Sequence, residues 1–92
     1  MKMSHVEIAT INYAMTMTGD AKPRQFQFSD LGLISDISKK LMAHVKDGKI
    51  EAGDYDVELS TAEKSKILTL VKEMNWSAGD ASAVLELVKK LE

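Results

Sequence analysis

Five acidic residues, Asp47, Glu51, Asp54, Asp56 and Glu58, fall within twelve positions, the length of a calcium-binding EF-hand loop. The register does not fit a metal. Lys49 stands third, Ala52 takes the place of the required glycine, and Asp54 replaces the usual apolar residue. A short strand with its acids toward solvent accounts for Asp54, Asp56 and Glu58 instead. His5 and His44 are far apart in sequence and have no neighbours at ligand spacing. Cysteine is absent, which removes thiolate catalysis, disulfides and iron–sulfur clusters. There is no Gly-x-Ser-x-Gly elbow and no glycine-rich phosphate cradle. Ser4, Ser29, Ser35, Ser60 and Ser77 stand where helix caps belong. The expectation is a protein without catalytic residues, metal or cofactor.

One serine carries a sharper pattern. Asp30-Leu31-Gly32-Leu33-Ile34-Ser35 resembles the Asp-Leu-Gly-x-Asp-Ser motif of acyl carrier proteins. The resemblance implies a helix opening at Ser35 and a phosphopantetheine on its hydroxyl. It departs from that family at Ile34, where an aspartate is usual. The stretch Leu70-Val71-Lys72-Glu73-Met74-Asn75-Trp76-Ser77 through Leu85 is similar to the first two helices of helix-turn-helix regulators. It also resembles, more loosely, ubiquitin-associated domains. Both families use a further helix, and the last helix here offers only Lys89 and Lys90 as basic groups.

Binding candidates are of two kinds. Lys22, Arg24, Lys39, Lys40 and Lys46 would form an anion-binding face if the fold brought them together. A net charge of −2 argues against a dedicated binder of nucleic-acid backbone. Tyr13, Met15, Met17 and Trp76 are the candidates for contact with another protein. Trp76, in a short interhelical turn, reads either as a lid over the core or as a binding anchor.

These residues need elements to position them. Residues 5–17 are rich in Val, Ile, Thr and Tyr, which favours a strand. Ser4 with Glu7, and Ile8, Ile11 and Met15 at helical spacing, offer a helix as the rival. Thr18–Pro23 is a turn, and Arg24–Phe28 alternates polar with aromatic, so the extended reading gives an N-terminal hairpin with Phe26 and Phe28 inward. Ser29 or Asp30 opens a helix to about Asp47, stopped by Gly48 and carrying Ile34, Ile37, Leu41 and Val45. Regular helix there is expected to begin as late as Ser35, because Gly32 weakens the first turn. Residues 54–59 form a strand. Ser60 with Glu63 caps a helix through Met74 that buries Ile67, Leu70, Val71 and Met74. Ser77 with Asp80 opens a last helix carrying Ala81, Val84, Leu85, Val88 and Leu91.

The 92 residues thus predict one α+β domain spanning 1–92, of order ββαβαα. The expected sheet is small and antiparallel, an N-terminal hairpin plus one short strand, covered on one face by three helices. No internal repeat at solenoid spacing is evident, and no run of about 18 apolar residues exists to span a membrane. The expected role is a small cytosolic module that binds another protein, as adaptor, inhibitor or accessory factor. Its partner is another protein or a second copy joined through an open sheet edge. The alternatives are a nucleic-acid accessory protein and a carrier modified on Ser35.

Overall fold

The computed structural model describes residues 1–92, with each element following from local chemistry. Strand β1 (Lys2–Ser4) leads directly into helix α1 (His5–Thr16). Helix α2 (Leu31–Met42), strand β2 (Asp54–Asp56), helix α3 (Thr61–Glu73) and helix α4 (Ala81–Leu91) follow. The strands pair antiparallel, Lys2 with Asp56, Met3 with Tyr55 and Ser4 with Asp54. The class is α+β, dominated by its four helices. The core lies between them, on residues such as Ile8 and Ile11 of α1, Ile37 and Leu41 of α2, Ile67 of α3 and Leu87 of α4. No helix is long and apolar enough to cross a membrane.

The expected hairpin does not form, and the order ββαβαα is corrected to βααβαα. Residues 5–16 are helical because the capping box closes. The Glu7 N–H donates to Ser4 Oγ at 3.1 Å, and the Ser4 N–H donates to Glu7 Oε1 at 2.8 Å. The helix then buries Ile8, Ile11, Ala14 and Met15 on one side. Thr10 and Thr16 turn their hydroxyls onto the carbonyls of Val6 and Asn12, which eases their poor fit to a helix. Burial on a helical period outweighs strand propensity here. The turn at 18–23 does exist, closed by Thr18 N–H to Lys22 O at 2.7 Å. It leads to an isolated Met17–Pro23 bridge and no second strand. Phe26 packs against the core, whereas Phe28 is 89% exposed. Two strands of three residues are also too small to serve as a layer covered by helices.

Both boundaries of α2 move, and one core position of α4 shifts. Helix α2 begins at Leu31 and ends at Met42, short of Asp47. Asp47 and Gly48 both have positive φ, 53° and 74°. Lys46 and Lys49 exchange backbone hydrogen bonds at 2.8 and 2.9 Å around them. This is a tight I′-type turn, so Gly48 serves a reversal of the chain rather than a helix stop. In α4, Leu85 is 62% exposed and Leu87 takes the core position. Around Ser60 the structure follows the expectation: its capping box opens α3, and Ile67, Leu70, Val71 and Met74 are buried.

The chain carries an internal repeat of two copies, unlike the many short units of a solenoid. Ser4, Glu7 and Ile11 recur as Ser60, Glu63 and Ile67, 56 positions later. Asp30, Lys39, Lys40 and Leu41 recur as Asp80, Lys89, Lys90 and Leu91, 50 positions later. The six-residue difference is the length of the turn Thr18–Pro23, which the second half lacks. The relation is spatial as well. Lys90 of α4 reaches Glu7 Oε1 at 2.7 Å, and Lys40 of α2 reaches Glu63 Oε1 at 2.6 Å. Each half therefore clamps the capping box of the other. Met1 and Val57, also 56 apart, exchange backbone hydrogen bonds at 2.9 Å, so an approximate two-fold axis passes between them.

Glu7 and Glu63 are the two buried charged residues. Burial pushes both carboxyls up. The Lys90 hydrogen bond and the Ser4 backbone N–H outweigh it for Glu7, and Lys40 with Ser60 does the same for Glu63. Both are held below the ordinary value of 4.5, charged and paired.

Candidate functional site

Helix α1 gives one side to the core. The opposite side carries Val6, Ala9, Thr10 and Tyr13, at the spacing of one helical stripe. Val6 is 46% and Tyr13 44% exposed, although both are large and apolar or aromatic. Trp76 stands beside this stripe. Helix α3 ends at Glu73, and the Asn75 amide donates to the Gly19 carbonyl at 3.4 Å, in the short link to α4. The Trp76 indole N–H donates to the Val71 carbonyl at 3.0 Å, which fixes the ring against the end of α3. Its centroid lies 6.1 Å from that of Tyr13, with the planes tilted by 56°. Trp76 is thus partly a lid and partly an accessible surface.

Together with Ile50 these residues line a shallow groove of about 560 Å³. His5, Asn75, Ser77 and Asp80 form its polar rim. A smaller hollow of about 180 Å³, lined by Asn12, Met42 and Val45, adjoins it at Ala9 and Ile50. His5 is committed structurally, since its Nδ1 accepts the Gly53 N–H at 3.2 Å. Asp80 accepts the Ser77 hydroxyl at 2.9 Å and forms no ion pair. The lining holds no Lys or Arg. Apolar and aromatic surface with one carboxylate is suited to holding a ligand by contact. Its one hydroxyl–carboxylate contact, Ser77 with Asp80, is exposed to solvent. No three His, Asp or Glu side chains anywhere in the chain converge as a metal site would require.

The sequence candidates divide. Tyr13 and Trp76 meet in the groove. Met15 is buried in the core on the other side of α1, and Met17 is half-buried at the helix end. Two of the basic set are already engaged. Arg24 donates from Nε to the carbonyls of Ala14 and Met17 at 2.8 and 3.1 Å, and pairs with Glu73 at 3.0 Å. It satisfies the end of α1. Lys40 is held by Glu63. Lys22, Lys39 and Lys46 are exposed and form no ion pair. Ser35 lies in the second turn of α2, exposed, and Asp30 occupies the cap position, so Ser35 is neither a cap nor the start of its helix.

Val6, Ala9, Ile50 and Asp80 are groove residues that the sequence reading did not single out. Taken as a strand, residues 5–17 place Val6 on the face opposite Ala9 and Tyr13. The stripe Val6, Ala9, Tyr13 is legible only in a helical phase, and the Ser4–Glu7 capping box was the signal for it. No protein-family model, curated protein or solved structure matches the chain.

Proposed function

We propose that this chain is a small cytosolic protein-interaction module, an adaptor, inhibitor or accessory factor that binds its partner non-covalently through the groove on α1. The observation that carries this reading is the exposed stripe Val6–Ala9–Tyr13 beside the chain's single tryptophan. Aromatic side chains that are rigidly held yet accessible are what binding hot spots are built from. A second copy joined through an open sheet edge is the self-partnered form of this reading, and each strand offers three residues for it.

The test is site-specific photocrosslinking. Benzoylphenylalanine is placed at Ala9, in the groove, and separately at Ser82, on α4. A discrete adduct in native lysate from Ala9, lost on Trp76→Ala and missing from Ser82, supports the reading. The same adducts from both positions, or none from Ala9, overturn it. Light scattering after size exclusion identifies the self-partnered case, since a second copy doubles the 10.2 kDa mass.

A further inference from the structure

The internal two-fold supplies a template for what occupies the groove. Across the axis from Thr10, Trp76 and Asp80 stand Lys66, Phe26 and Asp30. In that half the site is filled from within. The Lys66 ammonium lies 3.4 Å from Asp30 Oδ2 and 6.0 Å from the centre of the Phe26 ring. In the groove half the aromatic ring is enlarged to Trp76 and the carboxylate is kept as Asp80, but Thr10 stands where the lysine should be. The carboxylate and the ring are present without their cation.

We propose that the groove takes a lysine side chain from the partner protein, its ammonium at Asp80 and its methylene stem along Trp76 and Tyr13. This deepens the interaction-module reading and rests on it for the identity of the occupant as a protein. Three features favour this chemistry. Tryptophan is the best aromatic face for a cation. The groove walls Val6, Ala9 and Ile50 suit an aliphatic stem, and a lysine buries its stem while leaving its head charged. Asp80 forms no ion pair of its own, and no lysine or arginine lines the groove to compete.

The experiment reads the indole N–H resonance of Trp76 in the full chain, a unique reporter because the chain has one tryptophan. n-Butylammonium chloride is the probe for the lysine side chain. 1-Butanol controls for its apolar stem, and sodium chloride for ionic strength. A saturable shift with the amine alone, weakened about threefold in Asp80→Asn, is the expected result. An equal shift with 1-butanol, or an amine titration unchanged by Asp80→Asn, overturns it. Thr10→Lys supplies the missing group in cis. It should abolish amine binding and raise the melting temperature, and amine binding at wild-type strength in that variant also overturns the proposal. Failure of the Ala9 crosslink with the amine titration intact would remove the protein partner while leaving the chemistry of the groove in place. The reverse result would leave a partner that does not use lysine.

Discussion

The two halves of the chain open in the same way and finish differently. Each begins with a serine–glutamate capping box on a helix whose buried centre is an isoleucine, Ile11 in one and Ile67 in the other. Each ends with a Lys-Lys-Leu on a helix that reaches across to the other half's glutamate. The differences lie on the outside. The second half lacks the six-residue turn, and its α3 shows Ala62, Ser65 and Thr69 where α1 shows Val6, Ala9 and Tyr13. Repetition marks what the fold requires, and divergence marks surface that packing does not constrain. The groove lies on the divergent side.

The largest test of this comparison is in the core. Ile11→Ala and Ile67→Ala remove equivalent, fully buried side chains. Each should cost about 2–5 kcal/mol in denaturant unfolding. Losses that differ by more than about 2 kcal/mol would break the energetic equivalence of the halves. Next come the crossed ion pairs. Glu7→Ala and Glu63→Ala each remove a cap and leave a lysine without its partner, for an expected loss of about 1–3 kcal/mol. A double-mutant cycle of Lys40→Met with Glu63→Gln measures the pair itself, and the cycle of Lys90→Met with Glu7→Gln should agree with it.

Acid provides a third test. Both glutamates have folded pKa values below 4.5, so the unfolded chain binds protons first as pH falls. Their contribution is fully present above 4.5 and is lost as pH drops through the lower folded values. The melting temperature should therefore decline on acidification below 4.5, and Glu63→Gln should flatten that decline. The smallest effect is expected on the divergent surface. Phe28→Ser, at a ring 89% exposed, should change stability by no more than about 0.5 kcal/mol. A larger loss would show that this phenylalanine packs on something.

Helix α2 and most of the second half were legible in the sequence, and the segment before α2 was not. Ser60–Glu63 followed by Ile67, Leu70, Val71 and Met74 presents a cap and a stripe that agree, and α3 forms there. Around α1 two signals conflicted, since Ser4–Glu7 announced a helix while Thr10, Ile11, Tyr13 and Thr16 favoured a strand. What settled it was the burial of Ile8, Ile11 and Met15 against the other helices, which local propensity does not encode. The repeat was obscured because the turn at 18–23 changes the spacing partway along. The pairing of Tyr13 with Trp76 depended on that helix and could not be read before it. Arg24 read as a free cation because its carbonyl partners belong to a helix end that the extended reading did not contain.

The crossed clamps between α2 and α3 and between α4 and α1 carry a consequence for the integrity of the chain. Each piece produced by a cut in the exposed stretch 46–49 would hold one glutamate socket and one lysine plug, and each would need the other to fill them. Proteolytic nicking there should leave a noncovalent pair of fragments that migrates as the intact protein, and separately made fragments should recombine on mixing.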